Sequence, residues 1–197
     1  MSADSGRLAA IVAAISNQQL PPVDTWNPSR TDDIDIRIAA NGDWFHQGSH
    51  IRRSRMVRLF SSVLRVDDDG HTYLVTPLER LRIVVEDAPF MAVGLERHGV
   101  GDDQTLVFTT NVGDQVIADA AHPIIVEYVE KGGEPSPYVV VRDKLRAKLN
   151  RAIFYDLAEQ AIMKDGVAGV FSGGFFMRLG ESADPVSYTH LTLPTKA

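Results

Sequence analysis

The segment DWFHQGSHIRRSRMVRLF, Asp43 to Phe60, decides how the rest of the chain is read. Two histidines, an interior glycine and four arginines follow an aromatic pair within it. Such density invites a chemical reading, but the spacing fits a seam between a strand and a helix. His46 and His50 have the i, i+4 spacing of a helical metal pair. However, Gly48 lies between them, and no glutamate takes the general-base position of an H-E-x-x-H motif. They read as polar loop histidines, and no metal site is expected. From Ser54 to Arg65, Met56, Leu59, Phe60, Val63 and Leu64 recur on one face of a helix, against Arg55, Arg58, Ser62 and Arg65 on the other. GSHIRR is then the strand-to-helix connection, and the helix is expected to bury Leu59 and Phe60.

Working outward, DIDIRIAA alternates Ile34, Ile36 and Ile38 with Asp35 and Arg37, the pattern of a half-buried strand. Asn41-Gly42 signals a hairpin. LPPVDTWNPS, with three prolines, excludes regular structure over Leu20 to Ser29. Before it, Leu8, Ile11, Val12 and Ile15 recur at helical spacing in a run too short to span a bilayer. No small-x-small cleavage site follows, so residues 1–19 read as a docking amphipathic helix and not a signal peptide.

Downstream, HTYLVTP, RLRIVVED, FMAVGLER and QTLVFTTN are short strand-like runs separated by turn signals, an antiparallel meander. HPIIVEYVE and PYVVVRD make a further pair. A helix is expected from about Lys144 to Met163, and VAGVFSGGFFMRLG closes with two strands about Ser172-Gly173-Gly174. DDDGHT lacks the ligand spacing of a calcium loop and reads as a turn with Gly70 at positive φ.

With 44% hydrophobic and 23% charged residues the chain has the composition of an ordinary globular protein. Its net charge of −6 argues against nucleic-acid binding. The absence of cysteine excludes disulfides, thiolate catalysis and cysteine-ligated metals. No membrane segment and no cofactor motif is found, and a cytoplasmic location is expected.

The opening segment has a counterpart at an offset of 94 positions: Trp44 matches Tyr138, Ile51 Leu145, Arg52 Arg146, Leu59 Ile153, Phe60 Phe154 and Val63 Leu157. This points to a duplicated supersecondary module. The expected fold is α+β: two related motifs, each a curved antiparallel half-barrel-like sheet with one packed helix. The first would span residues 20–118 and the second 119–181.

LPPVDTWNP, DIDIRIAANGDWFHQGSHIRR, VRLFSSVLRVDDDGHTYLVTPLERLRIVVEDAPF, TNVGD, HPIIV, PYVVVR and GVFSGGFFMRLG occur in the order seen in bacterial domain-of-unknown-function family 1285. The chain resembles that family from roughly Leu20 to Gly180. The resemblance implies a cytosolic, mainly proteobacterial protein with two similar α+β motifs. It carries no catalytic residues, and a role in ligand sensing or signal transduction is a suggestion only. The end of the chain does not fit: VSYTHLTLPTKA looks like translated sequencing-adaptor read-through, so residues 182–197 are expected to be non-native and the native C-terminus to be missing.

Candidate chemistry is sparse. Arg52, Arg53, Arg55, Arg58 and Arg65 form the strongest basic cluster, expected to be a solvated helix face paired with Asp67 to Asp69. Its alternative is an anion patch, because guanidinium forks suit phosphate and carboxylate. Thr109, Thr110, Asn111 and Asp114 surround Gly113, where backbone could approach a ligand. Ser172 lacks the context of a nucleophile elbow. The two motifs should meet at a cleft to which Asn111, Asp114, His122 and Arg142 contribute, with Arg142 favouring an anion. A salt bridge supporting the following helix is the other reading of Arg142. The expected function is a non-enzymatic regulatory or signalling module that binds a small, anionic molecule or a partner protein, with homo-oligomerisation open. The alternatives are a hydrolase using Asp114 and His122, and a purely structural interaction module.

Overall fold

The computed structural model describes residues 20–128 and 134–181. The helix expected over 1–19 and the tail 182–197 lie outside the described residues. Two six-stranded sheets and a smaller third sheet make up the molecule.

The first sheet contains β1 (Arg30–Ile38), β2 (Trp44–His46), β3 (Ser49–His50), β4 (Leu64–Val66), β5 (Thr72–Val75) and β6 (Glu79–Val85), with helix α1 (Ser54–Ser62) between β3 and β4. Its spatial order is β3-β2-β1-β6-β5-β4. The alternation in β1 works as expected: Ile36 and Ile38 are buried, while Arg37 turns outward and pairs with Glu86. Gly42, at φ 85°, makes the β1–β2 turn. A Cβ there would stand 2.8 Å from both Asn111 Nδ2 and Met91 Cγ, so glycine is required sterically as well as conformationally.

The second sheet contains β7 (Phe90–His98), β8 (Thr105–Thr110), β9 (Gln115–Ile117), β10 (Ile124–Tyr128), β11 (Pro135–Arg142) and β12 (Leu145–Leu149), in the order β10-β11-β12-β7-β8-β9. It curls into a half-barrel. Helix α2 (Arg151–Glu159) follows, and β13 (Ile162–Lys164), β14 (Val167–Ser172) and β15 (Phe175–Glu181) form the third sheet. Ser172 rivets that sheet to the second: its hydroxyl accepts from Leu106 N at 2.9 Å and donates to Ala118 O at 2.6 Å. One apolar core runs through all of this, from Ile36, Trp44 and Leu64 to Phe90, Phe108, Leu145 and Leu179.

The α+β architecture of two similar motifs stands, and the repeat is written in strand order. In each large sheet a three-stranded meander is followed by another, and the last strand returns parallel to the first: β6 beside β1, β12 beside β7. The remaining pairs within both sheets are antiparallel. Tyr73 in β5 and Tyr138 in β11 then lie on corresponding strands of the two sheets. Each tyrosine donates to a carboxylate, Asp69 and Asp87 respectively, at 2.7 Å, and each ring lies under an arginine, Arg80 at 5.0 Å and Arg146 at 3.9 Å. The offset of 94 does not survive, because it matches Trp44 in β2 with Tyr138 in β11, strands at different places in the order. The expected boundary between Ala118 and Asp119 falls between β9 and β10, inside the second sheet; the two sheets meet at residues 86–89.

Two helix boundaries also change. Residues 145–149 form β12 and not the start of a helix, because Leu145, Ala147 and Leu149 alternate inward with period two. Asn150 then caps α2, its side-chain oxygen accepting from Ile153 N at 2.8 Å. Helix α1 stops at Ser62, so that Leu64 enters the core from β4. Its predicted apolar face is only partly covered. Phe60 is half-buried and stacks on Trp44 at 6.2 Å, whereas Met56 is 42% and Leu59 62% exposed.

Candidate functional site

Three pieces of chain from both motifs enclose a cleft of about 370 Å³: the β1–β2 hairpin tip, the β3–α1 connection with the first turn of α1, and the β8–β9 turn. Arg52, Arg55 and Arg58 line one side, Asn41 and Asp43 belong to the hairpin, and Asn111 belongs to the β8–β9 turn. Asn111 clamps the motifs together. Its Oδ1 accepts from Met91 N at 3.1 Å, and its Nδ2 donates to Gly42 O at 3.2 Å. Gly113 in the same turn, at φ 89°, lies beside the Arg58 guanidinium, whose Nη2 would be in ordinary contact with an added Cβ at 3.9 Å.

The cationic side is uncompensated. Helix α1 has no capping side chain at Arg53 and no acidic residue in its first turn. Met56 N and Val57 N both reach Arg53 O, at 2.9 and 3.1 Å, while the N–H groups of Ser54 and Arg55 have no backbone acceptor. The helix dipole therefore adds to the positive charge of Arg52, Arg53 and Arg55. Among the described residues the guanidinium groups of those three arginines and of Arg58 make no hydrogen bond or ion pair.

The expected pairing with Asp67 to Asp69 holds for Arg65 alone, at 2.5 Å. Arg80 fills the other side of Asp67, Lys144 takes Asp68, and Tyr73 takes Asp69. The bond from Arg65, reinforced by Arg80, holds the Asp67 carboxyl below its ordinary pKa. The arginines facing the cleft are left over. Trp44 backs the cleft; it is 1% exposed, and its indole N–H has no acceptor among the described residues. Buried donors are seldom left so.

Of the four residues expected to line the cleft, only Asn111 does so. Arg142 and Asp114 meet at 3.8 Å with side chains only 16% and 10% exposed, and Arg142 Nη2 donates to Ser61 O in the last turn of α1. Arg142 thus supports the helix of the other motif, not the one that follows it. Burial pulls its pKa below the ordinary guanidinium value, against the opposing effect of Asp114. His122 lies in the turn Asp119–His122, its Nδ1 3.1 Å from Asp119 Oδ1. Asp114 thus pairs with Arg142, and His122 with Asp119. His46 and His50 sit on paired strands at exposed positions, not in a loop, with His50 3.6 Å from Asp43 and stacked on Phe45.

Arg52, Arg53, Arg55 and Arg58 are exposed, as the solvated-face reading expects, but none of them takes the carboxylate partners expected for it. The missing acidic residue in the first turn of α1 was the available signal. Trp44, Asn41 and Asp43 gave none, because their role depends on how the hairpin meets the second sheet.

Among the described residues no helix is long and apolar enough to cross a membrane. No curated protein matches the chain. A crystal structure of a DUF1285 family protein from Silicibacter pomeroyi DSS-3 is similar at 43% identity and a TM-score of 0.79, over 87% of this chain and 95% of that one. Another DUF1285 family protein, from Shewanella baltica OS155, is similar at 29% identity and a TM-score of 0.51, over 64% of this chain and 92% of that one. Residues 21–88 match the family described as "Domain of unknown function (DUF1285), N-terminal domain", and residues 89–179 match "Protein of unknown function (DUF1285), C-terminal domain". With both halves matched in order, the chain belongs to the DUF1285 family.

Proposed function

We propose that the protein is a non-enzymatic regulatory module of the cytoplasm that binds a small anionic ligand in the cleft between α1 and the β8–β9 turn. One observation carries this reading: Arg52, Arg55 and Arg58 converge on a concave surface at an uncapped helix N-terminus without a single carboxylate partner among the described residues. Cations placed there destabilise the helix they flank. An anion would relieve that cost and occupy the guanidinium forks. Because the walls come from both motifs, a ligand would report on how the two sheets are held.

A thermal-shift screen of the full chain against phosphate, organic acids, nucleotides and phosphorylated metabolites tests this. A ligand at a hundred times its dissociation constant adds about 2.7 kcal/mol, a shift of roughly 5–10 °C for a domain of this size. Arg55→Ala and Arg58→Ala should abolish the shift without lowering the midpoint of the free protein. No shift with any anion would sink the reading. In that case the exposure of Met56 and Leu59 favours α1 as a protein-docking face, testable by a stoichiometric partner in a pull-down.

A further inference from the structure

We infer that the ligand is a phosphomonoester of a polyol, such as a sugar phosphate, with its phosphate at the start of α1 and its hydroxyls on the β1–β2 hairpin. This rests on the anion-binding reading of the cleft and specifies it. The cationic wall matches a phosphate better than a carboxylate. It offers three guanidinium groups, from Arg52, Arg55 and Arg58, and the two free N–H groups of Ser54 and Arg55. A phosphomonoester presents three terminal oxygens to such a set, where a carboxylate presents two.

The opposite wall has the other polarity. Asp43 Oδ2 accepts from Asn41 Nδ2 at 2.8 Å, and Asp43 Oδ1 lies 3.6 Å from His50 Nε2. Each carboxylate oxygen thus has one partner and retains capacity for another donor. A ligand end facing Asp43 must therefore be neutral and carry donors, which describes hydroxyls. It also disfavours a second anionic group, and with it citrate or a nucleoside polyphosphate. A nucleobase has no platform in the cleft: Trp44 is buried and stacked on Phe60, and the His50 ring is already packed on Phe45 at 5.3 Å. A cleft of about 370 Å³ is the volume of about a dozen waters at roughly 30 Å³ each, in scale with a phosphorylated sugar.

Calorimetric titration of the full chain with inorganic phosphate, glucose, glucose 6-phosphate, adenosine monophosphate and citrate, at fixed ionic strength, tests the inference. Glucose 6-phosphate should bind at least tenfold tighter than phosphate, glucose undetectably, and the nucleotide and citrate no tighter than phosphate. Asp43→Ala should bring glucose 6-phosphate to the level of phosphate while leaving phosphate binding unchanged; Arg55→Ala and Arg58→Ala should weaken every anion. The wild-type ranking decides the matter even if Asp43→Ala does not fold. If no anion binds, or binding ignores Arg55 and Arg58, the cleft reading itself fails. If phosphate and citrate bind through those arginines but glucose 6-phosphate is no tighter, the cleft reading stands and this inference is overturned. Phosphatidylcholine vesicles containing phosphatidylinositol 4-phosphate separate the sources. Co-sedimentation that glucose 6-phosphate competes away identifies a lipid headgroup, its absence beside tight soluble binding identifies a free ester, and both support the class.

Discussion

The two large sheets share one strand order and differ in the step from their third strand to their fourth. In the first, residues 51–63 make that step and include α1; in the second, a short turn from Ala118 to Pro123 suffices. The shared parts carry a recurring tyrosine–arginine contact. Tyr73 under Arg80 and Tyr138 under Arg146 recur on corresponding strands, although their acceptors differ: Asp69 comes from the β4–β5 turn and Asp87 from the linker between the sheets. At the inserted segment four arginine side chains have no partner among the described residues. Where a duplicated frame departs from its own symmetry is therefore where a ligand is expected.

The most severe test of the comparison uses Trp44 and Phe108, which occupy the equivalent second strands β2 and β8 and are both fully buried. Trp44→Ala and Phe108→Ala should each cost about 3–5 kcal/mol in urea denaturation. Because one core joins the sheets, each should shift a single transition. Two separate transitions in either variant would show that the motifs are independent.

The next effect lies at the junction. Arg142→Ala leaves the Asp114 carboxylate and the Ser61 carbonyl short of a partner near α1. It should cost about 2–4 kcal/mol, less than an ideal buried pair because the ions stand 3.8 Å apart. Arg58→Ala, on the same helix but unpaired, should stay within about 0.5 kcal/mol. Equal costs for the two would erase the distinction between the arginines that hold the fold and those left for a ligand.

The duplicated tyrosines allow a finer comparison. Tyr73→Phe and Tyr138→Phe each remove one hydrogen bond to a carboxylate and should each cost about 1 kcal/mol. Burial, with the neighbouring Asp87 carboxylate, pushes the Tyr138 hydroxyl up to about 12 from 10. A raised acid pKa means the neutral form is favoured in the folded state. That contribution is complete below pH 10 and is lost as pH climbs through about 12. The bond to Asp69 raises the Tyr73 hydroxyl too, so spectrophotometric titration should show a phenolate at about 12 that disappears in Tyr138→Phe but not in Tyr73→Phe; its persistence in Tyr138→Phe would assign it elsewhere. The smallest effect is a gain. Arg55→Glu puts a carboxylate in the first turn of α1 and should stabilise the free protein by about 0.3–1 kcal/mol, while abolishing anion binding. A loss of stability would mean that Arg55 has a structural partner.

Much of the frame was legible from residue order. The alternation of Ile34, Ile36 and Ile38 and the Asn41-Gly42 turn placed β1 and β2, because side-chain period and turn chemistry are local. What failed was nonlocal. Leu145, Arg146, Ala147 and Lys148 are good helix formers, and only burial against β7 makes them a strand. Leu59 was assigned to the core on spacing alone, although α1 is covered on one side only. Asn111 was found because a small polar residue beside Gly113 signals a close approach. The carboxylate pairing expected of the α1 arginines failed because Arg80, Lys144 and Tyr73, which take Asp67 to Asp69, arrive from other strands and from the β11–β12 turn.

The parallel seam in each sheet also sets an order of events for the emerging chain. Arg30 cannot meet Glu79, nor Phe90 meet Ala147, until a pair of meanders lies between them, so the hairpins can form locally while each seam must wait for a large loop to close. The first seam has all its strands once Val85 has been made, and the second only once Leu149 has. During synthesis α1 and its hairpin can therefore take shape before the β8–β9 turn exists, leaving the cleft to be completed by the half of the protein that arrives last.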